Sequence, residues 1–312
     1  MSIVQRQEIP ENIGLLAAQR NVYSRAKNII GLQMILSVPV ALCAAIMTLV
    51  KPELKGYVAL WGILVVVFDL FAFTPWVRKL RDNAARIQEL FDSKVLGLDW
   101  NEISVGKKPE PEIIHEEAKK YGMEEGNIAG LSNWYPMVVD KVPEVCGIII
   151  CQRANIWWDA RMRRKYALSI RIILVFVALA AIGYGIHEKK DMLEFLAYIV
   201  APLLSTYVFG YRQMTEHGDA ADRLDKLREI SEHIWSDAVA GKDAAALKLK
   251  CRILQDQIFD HRKKNPPIFD FLFWLLRDGN EVLMNKGAEV LVSECLSTLS
   301  VNRLSTSGFK LP

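Results

Sequence analysis

Cysteine is scarce in this sequence, and the cysteines that are present form no recognisable pattern. There are 5 of them among 312 residues, and Cys146 and Cys151 are too far apart for a C-x-x-C pair. No His-x-His motif lies beside them. Scattered thiols in odd number fit neither a disulfide framework nor a metal site. We therefore expect buried free cysteines, with no metal ion and no other cofactor.

Sequence signatures of enzymes are also missing. The chain has no G-x-S-x-G motif, no phosphate-binding glycine-rich loop and no H-E-x-x-H motif. Its 5 histidines are isolated from one another. These absences predict that the protein is not an enzyme and has no catalytic residues. The formal net charge of +3 is also too small to indicate DNA as a partner.

What the sequence does contain is a set of four long apolar runs: Ile29–Val50, Gly56–Trp76, Ala167–Ile186 and Met192–Tyr211. Each has about the 20 residues that an α-helix needs to cross a bilayer, and a helix satisfies its own backbone hydrogen bonds in lipid. Only short links, residues 51–55 and 187–191, join the runs of each pair. The sequence therefore predicts an all-α membrane protein with four transmembrane helices in two hairpins and helical cytoplasmic regions.

Lysine and arginine are concentrated on one side of these runs. The basic clusters lie in the long segments at Arg20–Lys27, Arg78–Arg86, Arg153–Lys165 and Arg212–Arg228. By the positive-inside rule, both termini and the central insert are cytoplasmic. The predicted parts are a cytoplasmic N-terminal helix (1–28), a first transmembrane hairpin (29–76), a cytoplasmic insert (77–165), a second transmembrane hairpin (166–211) and a cytoplasmic helical C-terminal region (212–312).

Apolar residues in the cytoplasmic segments recur every three or four positions. The repeats are Leu80, Ala84, Ile87, Phe91 and Val95; then Leu224, Leu227, Ile230 or Ser231, and Ile234; and finally Leu247, Cys251, Leu254 and Ile258. This spacing predicts amphipathic helices, and we expect their stripes to form the core of an intramolecular bundle. The segment Val145–Cys151 fits either a strand or the start of the helix before the third apolar run.

Gln33, Asp69 and Arg171 are polar residues within the apolar runs, and all three lie on the side that is predicted to be cytoplasmic. An ionised carboxylate facing lipid is strongly unfavourable, so Asp69 should face water or a partner, and Arg171 is the obvious candidate. One interpretation is a structural pair, with Arg171 reaching up to the headgroups. The other is a polar ring at the inner mouth of an oligomeric channel.

The densest group of polar and aromatic side chains precedes the third run, between Cys151 and Tyr166. Aromatic rings stack on bases and arginine binds phosphate, so this composition is typical of a nucleotide pocket. It is equally typical of a membrane interface, where tryptophan and basic residues contact headgroups. A similar stretch, Gln19–Tyr23, precedes the first run and suggests an internal duplication. The candidate ligand-binding residues are Trp134, Tyr135, Gln152, Arg153, Asn155, Trp158, Asp159 and Arg161.

Several motifs together resemble a known bacterial family, the SMODS-associating four-transmembrane effectors. They are Leu15–Arg20 with Tyr23 and Ala26–Lys27; Gln88–Asp92 with Val95–Asn101; Asn133–Pro136; and Cys151–Arg153 with Asn155, Trp158 and Asp159. The resemblance implies an anti-phage effector of the CBASS type in the bacterial inner (cytoplasmic) membrane. It also implies a CD-NTase partner that supplies a cyclic di- or oligonucleotide signal, and pore formation that kills the infected cell.

Our working hypothesis is a homo-oligomeric channel that is gated by a nucleotide bound to its cytoplasmic part. Several chains must assemble in the lipid bilayer, because four spans cannot enclose a wide aqueous path. Two alternatives remain open at this point. One is a membrane-anchored nucleotide sensor or adaptor without pore activity, and the other is a membrane-embedded enzyme that acts on lipid or nucleotide.

Overall fold

The computed structural model describes residues 1–122, 130–189, 191–196 and 200–307, and these residues are helical with no strand. The all-α prediction is therefore confirmed for the described part of the chain. In chain order the helices are α1 (Ile3–Gln7), α2 (Pro10–Ser37), α3 (Pro39–Val50), α4 (Lys55–Phe68), α5 (Thr74–Leu96), α6 (Glu102–Val105), α7 (Pro111–Tyr121), α8 (Glu144–His187), α9 (Met192–Phe195), α10 (Ala201–Val239), α11 (Ala244–Lys264) and α12 (Asp270–Ser307). A π-helical turn, Asp69–Phe73, connects α4 to α5.

Three helical stretches are long and apolar enough to cross a membrane: Pro10–Ala44, Gly56–Leu96 and Glu144–His187. Their apolar side chains point outward; Ile63, for example, is 62% exposed and Phe176 is 71% exposed. Such a large apolar surface is stable only in lipid, so the chain is a membrane protein. The fourth predicted run, Met192–Tyr211, includes residues 197–199, which lie outside the described residues, and the count of four spans stays a prediction.

The described parts of the second apolar pair contact each other. The hydroxyl of Tyr207 on α10 donates a hydrogen bond to the carbonyl oxygen of Leu174 on α8, at 2.8 Å. Gly210 permits this close approach, because a Cβ atom there would lie 2.8 Å from Leu174 Cδ2. Helices α8 and α10 therefore pack closely against each other around Leu174.

The parts of the helices outside the apolar runs share a large hydrophobic core. All five residues of the first predicted stripe, Leu80–Val95, are buried, and so are Leu247, Cys251, Leu254 and Ile258 of the third. In the second stripe, Leu224, Leu227 and Ile234 are buried, whereas Ile230 is exposed and Ser231 takes the inward position. Four of the five free cysteines are buried, and Cys43, in the first apolar run, is exposed.

The N-terminal segment packs into the same core, where Ile3, Leu15 and Leu16 join buried residues of the central insert. The segment Val145–Cys151, which fitted either a strand or a helix, is the start of α8. Its run of buried isoleucines packs into the core from a helix that continues without a break into the third apolar run.

This continuity is the feature of the fold that matters most for the site. Helices α2, α8 and α10 each run without interruption between the cytoplasmic core and an apolar stretch. Helix α5 leaves the second apolar run through the π-helical turn and enters the same core. The core and the apolar stretches are therefore built from the same four helices.

Candidate functional site

A cavity of about 330 Å³ lies in the helical bundle, where these continuous helices enter it. Three helices supply most of its wall. They contribute Gln19, Arg20, Tyr23, Ser24 and Lys27 of α2, Asn155, Ile156, Trp158, Asp159 and Arg163 of α8, and Ile258, His261 and Arg262 of α11. Gln88 of α5 and Leu224 of α10 also line the cavity. The volume lies within the range of about 300–1,000 Å³ that is typical of small-molecule sites.

Four aromatic side chains line this cavity: Tyr23, Tyr121, Trp134 and Trp158. Tyr23 comes from α2, Tyr121 from α7, Trp134 from the segment before residue 137 and Trp158 from α8. The rings therefore approach the cavity from different sides. Burial raises the pKa of Tyr23 to about 12, and its phenol is therefore neutral at physiological pH. Planar, uncharged rings of this kind stack on nucleobases irrespective of base identity.

The lining is electropositive. Among the described lining residues, four side chains are cationic and a single one, Asp159, is a carboxylate. The cationic residues are Arg20, Lys27, Arg163 and Arg262. Two of the arginines are fixed by partners behind the wall: Arg163 donates to the carbonyl of Pro266 at 3.0 Å, and Arg262 pairs with Asp92 at 2.5 Å. Their positions are therefore set before any ligand arrives, which favours binding of an anionic group.

Asp159 is held in its charged form by two neighbours. Arg163 Nε lies 3.0 Å from Asp159 Oδ1, and His261 Nε2 lies 3.2 Å from Oδ2. Burial alone would raise the pKa of this carboxyl, but Arg163 and His261 outweigh it and hold the pKa well below its usual range. Burial lowers the pKa of His261 despite the opposing effect of Asp159, so the imidazole is neutral at physiological pH.

The cavity brings together half of the candidate ligand-binding residues. Trp134, Asn155, Trp158 and Asp159 line it. The others lie elsewhere and have structural partners. Tyr135 is buried behind the wall, where its hydroxyl donates to Asp92 at 2.7 Å and accepts from Asn155 at 3.1 Å.

The three remaining candidates connect helices at other places. Gln152 donates to the carbonyl of Cys251 at 2.8 Å, Arg153 pairs with Glu232 at 3.4 Å, and Arg161 donates to Asn280 at 3.0 Å. These three side chains therefore do not line the cavity, because each is directed from α8 towards another packed helix. Helix periodicity places Arg153 and Arg161 away from Asn155 and Trp158, which share the cavity-facing side, whereas Gln152 is kept from the cavity by its hydrogen bond to α11.

Sequence reasoning missed much of the remaining wall. The missed polar residues are Gln19, Arg20, Tyr23 and Lys27 of α2, Gln88 of α5, and His261, Arg262 and Asn265 at the end of α11. A signal was present for part of the set, since Gln19–Tyr23 resembles Gln152–Trp157, the stretch that contains Asn155. The two similar stretches line the same cavity, although the internal duplication itself stays a prediction.

The polar residues of the apolar runs form a second cluster. Gln33 of α2 donates to Asp69 Oδ1 at 2.7 Å, and the Thr74 hydroxyl donates to the same oxygen at 3.1 Å. Arg212 Nη1 of α10 lies 3.9 Å from Asp69 Oδ2. The expected pairing of Asp69 with Arg171 is therefore wrong. Arg171 lies instead on the outer surface beside Ile172, Val175 and Phe176, since its place on α8 faces away from Asp69.

Comparisons with known proteins agree with this architecture. The family model for the SMODS-associating 4TM effector domain matches residues 1–291. A protein of Bacillus cereus strain VD146, described as a probable CBASS effector molecule, is 24% identical over 290 residues, which cover 90% of this chain and 95% of the relative. No solved structure matches the chain. Because the family model extends over nearly the whole sequence, the chain belongs to the SMODS-associating 4TM effector domain family.

Proposed function

We propose that this protein is a CBASS effector that binds a cyclic di- or oligonucleotide, made by a CD-NTase, in the cavity between α2, α8 and α11. Bound nucleotide then drives oligomerisation and pore formation in the bacterial inner membrane, which ends the infection by killing the cell. The observation that carries the proposal is the lining of this cavity. Four aromatic rings and four cationic side chains surround a space at the root of the apolar helices.

The chemistry of the lining suits a cyclic nucleotide better than a lipid headgroup. A headgroup needs positive charge and an interfacial position, and it gains little from enclosed aromatic rings. A nucleotide needs both charge for its phosphates and rings for its bases. Binding of a nucleotide therefore accounts for the presence of Trp134 and Trp158 in the wall. It also accounts for the polar side chains of Asn155 and Asn265.

The fold offers a route from the cavity to the membrane. Lys27 of α2 and Arg163 of α8 line the cavity, and each lies only a few residues from an apolar stretch of the same helix. A ligand that prefers one separation of α2 and α8 shifts the equilibrium between two arrangements of the apolar helices. It does so only to the extent that its affinity differs between them.

Pore formation requires several copies of the chain, because a single four-helix unit cannot enclose a wide aqueous path. The cluster of Asp69 with Gln33 and Arg212 joins three apolar helices at their cytoplasmic ends. In the proposed mechanism this cluster holds the resting arrangement, and its rearrangement exposes polar groups towards a shared channel. Both termini are cytoplasmic in this arrangement.

The test is an equilibrium binding measurement on the full chain in detergent with a panel of cyclic dinucleotides and cyclic trinucleotides. Trp158 and Trp157 form a matched pair, because only Trp158 lines the cavity. Loss of one stacked base lowers affinity by about 1–3 kcal/mol, so Trp158→Leu should weaken binding by about 5- to 100-fold. Trp157→Leu should leave the affinity unchanged.

Two outcomes would contradict the proposal. If no member of the panel binds, the cavity is not a cyclic nucleotide site. If a cyclic nucleotide binds and both tryptophan variants retain full affinity, the ligand occupies another surface. Binding in the cavity without any effect on membrane permeability would favour the alternative of a membrane-anchored sensor or adaptor.

A further inference from the structure

Two glutamines in the cavity wall are buried without a hydrogen-bond partner among the described residues. Gln19 of α2 is 3% exposed and Gln88 of α5 is 9% exposed, and both line the cavity. Neither carboxamide takes part in a hydrogen bond to another described side chain or to the backbone. Neighbouring polar residues differ in this respect, since Asn265 contacts both His261 and Arg223.

The two carboxamides are not sealed inside the protein. Neither is among the fully enclosed polar atoms that lack a partner in the described part of the chain, so their hydrogen-bonding groups open onto the cavity. A carboxamide has two donor hydrogens and an acceptor oxygen, which a ligand in the cavity can engage. Two such amides in one cavity indicate that their partner is a ligand rather than the protein itself.

We infer that Gln19 and Gln88 bind an adenine base, one at the edge formed by N7 and the N6 amino group and the other at the edge formed by N1 and the same amino group. This inference rests on the proposed function, since it identifies the base of the proposed cyclic nucleotide. A carboxamide offers one donor beside one acceptor, which matches the acceptor N7 and the donor N6 of adenine, whereas the corresponding edge of guanine presents two acceptors and is matched by arginine. Tyr23 and Trp158 provide rings on which the purine can stack.

The charged groups of the wall favour the same base. The carboxylate of Asp159, which could accept from the donors of guanine, is occupied by Arg163 and His261. The guanidinium of Arg262, which could donate to guanine, is paired with Asp92. The two glutamine amides are therefore the groups that we assign to hydrogen bonding with the base, and their donor and acceptor match those of adenine.

The experiment compares the binding of cyclic di-AMP, cyclic di-GMP and cyclic di-UMP to the full chain in detergent. The variants are Gln19→Met and Gln88→Met, which keep the side-chain length and remove the amide. Gln213→Met is the matched control, because Gln213 is 8% exposed and does not line the cavity. A bidentate amide–adenine contact supplies about 1–3 kcal/mol, so each cavity variant should bind cyclic di-AMP about 10- to 100-fold more weakly.

Thermal unfolding without ligand provides the second readout. Because Gln19 and Gln88 have no hydrogen-bond partner in the described part of the chain, their replacement by methionine should leave the melting temperature unchanged or raise it. Tightest binding of cyclic di-AMP, weakened by both cavity variants and not by Gln213→Met, is the expected result. Preference for cyclic di-GMP or cyclic di-UMP, or full affinity of the cavity variants for cyclic di-AMP, overturns the assignment of adenine and leaves the proposed function intact. Absence of binding by every cyclic nucleotide overturns both.

Discussion

Arg262 and Asp92 form a buried ion pair, with 2.5 Å between Arg262 Nη1 and Asp92 Oδ2. The pair connects α11 to α5, and Arg262 also lines the cavity. Asp92 has no exposed side-chain surface, and it also accepts hydrogen bonds from Gln255 and from the hydroxyl of Tyr135. The wall of the cavity and the polar centre of the bundle are therefore stabilised by the same residues.

Removing one partner of this pair should strongly destabilise the protein. Arg262→Met leaves the carboxylate of Asp92 buried without its cation, and breaking a buried pair in this way costs about 3–5 kcal/mol. The measurement is thermal or denaturant unfolding in detergent. Lys264→Met is the control, since Lys264 pairs with Asp260 on the surface, with side chains 68% and 46% exposed, and exposed pairs contribute at most about 1 kcal/mol. Equal effects of the two variants would contradict the assigned importance of the pair.

Glu89 should make stability depend on pH. Burial, together with the nearby charge of Asp92, raises the pKa of Glu89 from 4.5 to about 7, against the opposing effect of Arg252. The folded protein therefore binds this proton more tightly than the unfolded chain, and the stabilisation is present below pH 4.5 and is lost as the pH rises towards 7.

The test of this prediction is the unfolding free energy as a function of pH for the wild-type protein and for Glu89→Gln. At 1.36 kcal/mol per pKa unit, the wild type should lose up to about 3 kcal/mol relative to the variant between pH 4.5 and pH 7. Glu89→Gln keeps the side-chain shape and removes the titration. Parallel pH profiles of the two proteins would show that the pKa of Glu89 is not raised.

The apolar runs and the helical core are predictable from the sequence. The runs follow from sustained high hydropathy, and the core follows from the helical spacing of apolar residues. Stripe residues such as Phe91 and Leu254 are buried where their spacing places them. The pairing of Asp69 is not predictable in this way. Depth in the membrane brings Asp69 and Arg171 to the same level, but only the rotation of each helix, which packing determines, shows that Gln33 is the partner.

The cavity is predictable only in part. Asn155 and Trp158 stand out because aromatic and polar residues are concentrated in their segment. Arg262, in contrast, belongs to the basic end of α11, and basic residues at a helix C-terminus ordinarily interact with the helix dipole and with solvent. Gln88 similarly looks like a surface residue of an amphipathic helix. Arg262 and Gln88 line the cavity only because tertiary contacts bring α5 and α11 beside α8. Local sequence patterns do not predict those contacts.

The hydrogen bond between Gln33 and Asp69 should stabilise the membrane part. Gln33→Leu removes the donor 2.7 Å from the Asp69 carboxylate, and hydrogen bonds to charged groups contribute about 1.5–3 kcal/mol. We therefore expect a lower melting temperature in detergent or lipid. Arg171→Leu is the control, because Arg171 lies on the outer surface beside Val175 and should change stability little. If Arg171→Leu lowers the melting temperature more than Gln33→Leu does, the cluster around Asp69 is not what stabilises the packing of these helices.

Asp69 should also influence conduction. If the cluster borders the pore after activation, Asp69→Asn removes a negative charge at its inner mouth, and both the single-channel conductance and the preference for cations should fall. Thr74→Val removes a neutral donor to the same carboxylate and leaves the charge in place, so it serves as the comparison. Ion flux that is identical for Asp69→Asn and the wild type would exclude Asp69 from the pore.

The most direct measurement of the proposed function is the release of a small dye from vesicles of bacterial phospholipids that contain the full chain. Addition of the cyclic dinucleotide that binds most tightly should cause release from wild-type and Trp157→Leu vesicles, and much less from Trp158→Leu vesicles at the same ligand concentration. Ligand that saturates the cavity of the wild-type protein without any release would contradict a nucleotide-gated pore.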